Sequence, residues 1–235
     1  MKKVLLLSVV ALGMLASCSC SGLHVNYSKT EPHATHERGL KGFERIELLG
    51  PLDVKYAQAD SFSVRVDAPV KVLDDVETYV TGNKLVVRMK GEGKFINFGV
   101  SDADGVTIYV TSPDFLGIEL KGSGDFESHG LLDTDNLDIT LNGSGDIKFE
   151  DIICDRVNVS LVGSGDVDVR NVKTQWAGVQ VVGSGDVKMR LDNSGTVDAN
   201  LTGSGDITLS GNVKDYKYNV RGSGDMNTSG LTIGK

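Results

Sequence analysis

The chain has 235 residues, of which 29 are glycine and only 6% are aromatic. Abundant glycine and few large core residues argue against a helix bundle or a large doubly wound α/β fold. The formal net charge of −8 argues against a nucleic-acid-binding protein, which needs a basic face, and three cysteines are too few for a disulfide scaffold.

The first 17 residues are typical of a bacterial secretion signal. Two lysines precede an apolar run from Val4 to Leu15, which is shorter than the roughly 20 residues that a transmembrane helix needs. The run ends in Leu15-Ala16-Ser17-Cys18, which looks like a lipobox, the signal for lipidation of a cysteine followed by cleavage. We therefore predict a signal peptide over 1–17 and a membrane anchor on Cys18, at the outer membrane. An ordinary signal peptide with an incidental cysteine is the alternative.

Residues 19–39 show neither helical nor strand periodicity. With Cys18, they are expected to form a flexible tether between the membrane and the folded part of the chain. His33 and His36 lie three residues apart, but no cysteine or acidic residue stands at a convincing ligand spacing. We therefore favour linker composition over a metal site here.

Residues 40–115 look strand-like but irregular, and we interpret them as an N-terminal β cap or as irregular first coils. Ile46 to Tyr56 aligns without a gap with Ile139 to Phe149 and keeps Gly50 and Asp53, as expected of a diverged coil. Further strands are predicted at Phe62–Val66, Val76–Val80, Lys84–Met89 and Val106–Thr111, with a loop at Gly91–Asp104.

Residues 116–235 are dominated by a repeat. The tetrapeptide Gly-Ser-Gly-Asp occurs six times at spacings of 19 to 21 residues, beginning at Gly122, Gly143, Gly163, Gly183, Gly203 and Gly222. The residues six, four and two before each tetrapeptide are apolar or Tyr, which is the period-2 pattern of a strand with one buried face. After the tetrapeptide the alternation resumes, and a short turn then carries one more apolar residue, such as Ile152 or Val172. Repeated units that cannot bury this face alone predict a parallel β-helix of about 20 residues per coil, with an antiparallel sandwich or meander as the alternative.

The tetrapeptide is interpreted as the corner of each coil. The strand parity turns both glycines inward, and Ser and Asp are expected to bond neighbouring backbone groups, as in Asx and Ser turns. The alternative is an acidic ladder that holds a ligand or calcium, although calcium-binding nonapeptide repeats have a period of nine residues. The members of this ladder are Asp125, Asp146, Asp166, Asp186, Asp206 and Asp225.

The lipobox, the tether, the irregular β segment and the Gly-Ser-Gly-Asp repeats together resemble one family. It is the putative auto-transporter adhesin, head GIN domain family of bacterial envelope proteins, and the resemblance covers roughly residues 43–225. It implies a right-handed parallel β-helix and an adhesin-like role, and it supplies no catalytic residues.

Three functional classes remain open. The first is a lipid-anchored binding module that presents a repetitive polar face to glycan, matrix or another cell, although no aromatic platform is evident and Trp176 is the only tryptophan. The second is a periplasmic structural protein that contacts an envelope protein or associates with itself through an exposed end strand. The third, an enzyme, is disfavoured because the carboxylates repeat, the turns are short and His129 stands alone in a turn. We expect no catalytic residues, no metal and no cofactor.

Overall fold

Alternation of apolar and polar residues produces strands along most of the chain. The structure is a computed structural model, and it describes residues 32–91 and 105–234. The cap region contains β1 (His33–Arg38), β2 (Arg45–Leu49), β3 (Asp53–Gln58), β4 (Ser63–Pro69), a 3-10 turn (Leu73–Asp75), β5 (Val76–Thr81), β6 (Lys84–Met89) and β7 (Thr107–Ser112). The repeat region contains β8 (Gly117–Gly122), β9 (Phe126–Gly143), β10 (Ile147–Gly163), β11 (Val167–Gly183), β12 (Val187–Gly203), β13 (Ile207–Gly222) and β14 (Met226–Ile233).

Strands β9 to β14 stack in chain order, each paired in parallel with the next. Equivalent residues share a column: Val157 pairs with Ala177, which in turn pairs with Val197. The result is a parallel β-solenoid of about six turns with about 20 residues per turn. The prediction of a parallel β-helix is therefore confirmed, and the antiparallel alternative is wrong for these strands.

The coils differ from the predicted order of strand, bend, strand and turn in one respect. The ladder between β10 and β11 runs unbroken through the predicted turn, from the Asp151–Asn171 pair to the Cys154–Thr174 pair. Between β10 and β11 the chain therefore leaves the ladder only at Ser-Gly-Asp, whereas the ladders that β12 makes with β11 and β13 are also interrupted in the predicted turn. Ile152 lies in the predicted turn of β10 and is buried. The chain therefore keeps an inward side chain and its main-chain pairing with β11 through this turn.

The first interval of the repeat, of 21 residues, contains one extra residue at a bulge. The register between β9 and β10 shifts between Phe149 and Asp151, opposite Gly130. Gly130 has a φ of +76°, a conformation that L side chains rarely adopt. The glycine thus absorbs the extra residue while the columns on either side stay aligned.

The diverged first coil lies where the alignment placed it. Strand β2 lies between β6 and β8, so that Ile46, Ile118 and Ile139 fall in one column. Strand β3 lies between β7 and β9 and continues this coil. The predicted strands of the cap correspond to β4, β5, β6 and β7, whereas most of the predicted loop lies outside the described residues.

Residues 33–38 are a strand and not part of a tether. They form β1, which pairs antiparallel with β4 along its whole length. The segment buries no residue, so its sequence carries no strand periodicity, and it is held by main-chain pairing and by polar contacts. His33 Nδ1 lies 2.8 Å from Asp67 Oδ1, and the Thr35 hydroxyl donates to Asp67 Oδ2 at 2.9 Å.

The core consists of stacked columns of inward side chains. Strands β9 to β12 contribute three such columns from the segments before the tetrapeptides, and each of these side chains is at most 2% exposed. Burying one Val or Leu stabilises a fold by about 1.5–3 kcal/mol, so the coils stabilise one another only when stacked. Aromatic rings of Tyr56, Phe115, Phe126 and Phe149 join the cap to the stack, with neighbouring centroids 4.2 to 5.9 Å apart.

Candidate functional site

The glycines of the tetrapeptide are required by the stacking of one coil on the next. A Cβ on Gly165 would collide with the carbonyl oxygen of Gly145, and a Cβ on Gly163 with that of Gly143. The first glycine of each tetrapeptide also has a positive φ, between +133° and +151°. The obstacle is therefore the backbone of the preceding coil, and not the interior of the solenoid that strand parity suggested.

The aspartates of the tetrapeptide form a continuous ladder along one corner. Oδ1 of Asp125 accepts a 2.9 Å hydrogen bond from the backbone N–H of Asp146, and Oδ1 of Asp146 accepts from Asp166 at 3.3 Å. The same bond links Asp166 to Asp186, Asp186 to Asp206, and Asp206 to Asp225, at 2.8 to 3.0 Å. The carboxylates thus bond the next coil and do not close an Asx turn within their own, because the neighbouring N–H lies only about 4.8 Å along the stack.

Asp53 of the diverged coil begins this ladder. Its Oδ1 accepts a 3.1 Å hydrogen bond from the N–H of Asp125. Partial burial raises the pKa of the Asp53 carboxyl, and the negative charges of Asp125 and Glu127 act in the same direction, while that hydrogen bond opposes the shift. In the described parts of the chain, no three His, Cys, Asp or Glu side chains group as metal ligands.

One outer face of the stack is almost free of charge. We call it the pre-bend face; in β9 to β12 it consists of the outward side chains before each tetrapeptide. Its members are Asp138, Thr140, Asn142, Asn158, Ser160, Val162, Gly178, Gln180, Val182, Asp198, Asn200 and Thr202. The outward side chains after the tetrapeptides of β10 to β12 are all charged: Lys148, Glu150, Asp168, Arg170, Lys188 and Arg190.

Trp176 lies at the edge of the pre-bend face, in the outward column that precedes Gly178 and also contains Arg156 and Thr196. A Cβ on Gly178 would collide with Cη2 of the indole, so the ring occupies the space that a side chain at position 178 would fill. The Arg156 guanidinium stacks on the ring with its carbon 4.4 Å from the centroid, which fixes the position of the indole. This aromatic side chain over Gly178 was not predicted from the sequence. The signal was available, because residues 176 and 178 share one face of a strand and a glycine inside a strand marks close approach.

A cleft of about 340 Å³ lies on the same face, where the cap meets the stack. Gly117 lines it, and its polar lining consists of Arg45, Lys84, Glu119, Asp138, Thr140, Asn158 and Ser160. Arg45 donates a 2.9 Å hydrogen bond to Oδ2 of Asp138. The Asn158 side-chain amide donates to Oδ1 of the same carboxylate at 3.0 Å. Both oxygens of this half-buried carboxylate are therefore held in place.

The other residues singled out from the sequence have these positions. Cys18 and the predicted signal peptide lie outside the described residues. Cys154 is a buried free thiol; burial raises its pKa, although a hydrogen bond with Thr174 opposes the shift. His129 is about half exposed, 3.7 Å from Glu127 and 3.6 Å from Glu150. None of the helices in the described part of the chain is long and apolar enough to cross a membrane.

Comparisons with known proteins bear on this architecture. A family model described as "Putative auto-transporter adhesin, head GIN domain" matches residues 42–171 and 166–235. No curated protein matches the chain. The structure is similar to that of a putative adhesin from Bacteroides fragilis, with a TM-score of 0.67 and 23% identity over 85% of this chain and 98% of that one. It is also similar to a putative lipid binding protein from Parabacteroides distasonis, with a TM-score of 0.65 and 17% identity over 85% of this chain and 97% of that one. At these identities the likeness shows the shared fold.

Proposed function

This chain belongs to the putative auto-transporter adhesin, head GIN domain family, and from that premise we propose that it is a lipid-anchored, adhesin-like binding module of the cell envelope. In this proposal Cys18 carries the lipid, and the solenoid presents its outer surface to a ligand outside the chain. The protein acts by binding and not by catalysis. Two or more acyl chains on one cysteine would hold it stably on a membrane.

The observation that carries this proposal is the pre-bend face. It is long, regular and nearly uncharged, and it carries the single tryptophan over Gly178. Exposed aromatic and uncharged polar side chains are characteristic of surfaces that bind ligands, whereas solubility alone favours a charged surface of mixed sign. The outward side chains that follow the tetrapeptides form such a charged surface of mixed sign, as expected where only solubility is required.

The arrangement of the acidic groups supports a non-enzymatic role. Each Oδ1 of the aspartate ladder from Asp53 to Asp206 already accepts a backbone hydrogen bond from the next coil. These carboxylates therefore complete the main-chain bonding of the corners. His129 lies between two glutamates on the outer surface, where an ion pair is the simpler role.

Protease shaving of intact cells tests the proposal. The full chain is followed by immunoblot, with lysed cells and a Cys18→Ala variant as controls. We expect the signal of the wild type to disappear on intact cells and the variant to leave the membrane fraction. Protection on intact cells, with loss only after lysis, would contradict an adhesin-like role.

A second candidate function, self-association inside the envelope, is favoured by the C-terminal end of the stack. Strand β14 pairs with β13 only from Ile207 to Val213. The inward columns continue beyond it as Tyr216 and Tyr218, whose rings stack at 5.3 Å, and Tyr218 is 62% exposed. If this end pairs with another copy, Tyr218→Lys will shift crosslinked oligomers to monomers, whereas Tyr109→Lys on the cap will not.

A further inference from the structure

We propose that the pre-bend face between Arg45 and Trp176 is a binding site for a neutral oligosaccharide. This inference rests on the proposed function and deepens it by naming the site and the class of ligand. The site, called here the Gly117–Gly178 trough, consists of the column Gly117, Asp138, Asn158, Gly178 and of the side chains that flank it.

The shape of the trough follows from its two glycines. Gly117, Asp138, Asn158 and Gly178 occupy consecutive coils of one outward column. Neither glycine has a side chain of its own, so a large neighbouring side chain lies over each end of the column: the Arg45 guanidinium over Gly117 and the Trp176 indole over Gly178. Three steps between coils make the trough roughly 14 Å long, which exceeds the length of a single sugar ring.

The chemistry of the trough suits hydroxyl groups. Hydrogen bonds from Arg45 and Asn158 hold the Asp138 carboxylate in place. The carboxylate oxygens, and the N–H groups of Arg45 and Asn158 that do not bond Asp138, therefore have defined positions in the trough. The adjacent outward column adds Thr140, Ser160 and Gln180, which can both donate and accept hydrogen bonds. Groups that are already held in place, as Arg45, Asp138 and Asn158 are, bind a polyhydroxylated ligand without first having to be ordered.

The indole supplies the apolar part of such a site. Sugar rings have faces of C–H groups, which stack on aromatic rings whose faces carry partial negative charge. Arg156 occupies one face of Trp176 and holds the ring, and a sugar would stack on the opposite face. Between Arg45 and Trp176 the outward column contains one charged side chain, Asp138, and this is paired with Arg45. The cations beside the column also have partners, because Lys84 pairs with Glu119 at 3.1 Å and Arg156 stacks on the indole, so a neutral glycan is favoured over an acidic one.

Trp176 makes the test direct, because it is the only tryptophan of the chain and its emission reports on this site alone. The full chain, in a polyoxyethylene detergent that contains no sugar, is titrated with neutral hexasaccharides of glucose, mannose, xylose and galactose. Hyaluronan and polygalacturonate serve as acidic probes. We expect a saturable change in emission with at least one neutral hexasaccharide and none with the acidic polymers.

Two matched variants locate the site. In both Asn158→Ala and Asn171→Ala, an asparagine that donates to an aspartate of the preceding coil is removed; the bonds are 3.0 Å to Asp138 and 2.9 Å to Asp151. Only Asn158 lies in the trough. We expect Asn158→Ala to weaken sugar binding about tenfold or more, and Asn171→Ala to leave it unchanged. Gly178→Ala, which displaces the indole without removing it, should also abolish the change in emission.

The outcomes separate this inference from the proposed function. Adhesion of cells that display the chain to immobilised mucin and matrix is measured in parallel. Adhesion without any neutral-sugar effect on Trp176, or with equal effects of the two asparagine variants, overturns the trough and leaves the adhesin-like role standing. Stronger binding of the acidic polymers overturns the choice of a neutral ligand. Absence of both adhesion and sugar binding overturns the proposed function together with the trough.

Discussion

The backbone N–H of Asp186 donates a 3.0 Å hydrogen bond to Oδ1 of Asp166, the equivalent residue one coil earlier. The Ser184 and Gly185 N–H groups donate to the carbonyl of Gly163, and Val187 N–H donates to the carbonyl of Asp206. The aspartate side chain therefore completes the main-chain bonding at Ser-Gly-Asp, where the chain leaves the ladder in every coil from β9 to β13. This is why the tetrapeptide ends in a residue with a short side chain and an acceptor.

Replacing one member of the ladder should separate this role from that of charge. Asp186→Ala removes the acceptor for Asp206 N–H, bonded at 2.8 Å, and should lower the free energy of unfolding by about 1 kcal/mol. Asp186→Asn keeps an oxygen at the same place and should cost less. Urea unfolding followed by Trp176 fluorescence measures both. Equal losses in the two variants would contradict the hydrogen-bonding role.

Removal of divalent cations should leave the stability unchanged. The ladder carboxylates already accept N–H bonds, and their stabilising contact is made within the protein. A cation that bound only the folded state would raise the unfolding midpoint with its concentration. We expect EDTA and millimolar calcium to give the same midpoint. A calcium-dependent rise that Asp186→Asn weakens would instead establish a cation ladder.

The contribution of Asp53 to the free energy of unfolding should change with pH in the opposite sense to that of a salt-bridged aspartate. Its pKa is raised in the folded protein, chiefly by partial burial, so the folded chain holds this proton more tightly than the unfolded chain does. The resulting stabilisation is present below the unfolded pKa, near 3.9, and is lost as the pH rises through the raised folded value. At pH 7 the ionised group therefore costs stability.

The variant that tests this is Asp53→Asn, which keeps the acceptor for Asp125 N–H without the charge. At pH 7 we expect it to unfold at a slightly higher urea concentration than the wild type, with a gain of about 0.5 kcal/mol or less. The gain should shrink as the pH is lowered and the wild type binds its proton. Asp166→Asn, at an exposed position of the ladder that accepts the equivalent hydrogen bond from Asp186 N–H, is the control and should show no gain. A gain that grows at low pH would contradict this account.

Much of the fold follows from local sequence signals, while the contacts that define the site depend on stacking. The alternation before each tetrapeptide and the constant spacing are sufficient to align Val157, Ala177 and Val197 in one column. The bond between Asp166 and Asp186 joins residues 20 positions apart, and no turn rule contains it. The pairing of β1 could not be predicted either, because an edge strand that buries no side chain leaves no hydrophobic pattern. The position of Trp176 could be predicted from the sequence only by interpreting Gly178 as a glycine that leaves room for a neighbouring side chain.

The second glycine of the tetrapeptide offers the sharpest test of how the coils stack. Gly165→Ala would place a Cβ against the carbonyl of Gly145, which belongs to the backbone and cannot move aside as a side chain could. We expect a loss of about 1–3 kcal/mol or more. Gly39→Ala is the matched control, because nothing lies within 4 Å of its Cβ position and its φ is not positive. Thermal unfolding by circular dichroism compares the two. Because the collision is with the preceding coil and not with the core, Gly165→Ser should lower stability as much as Gly165→Ala does. If the Gly165→Ala protein were as stable as the Gly39→Ala protein, the coils would have to be spaced more widely at this corner.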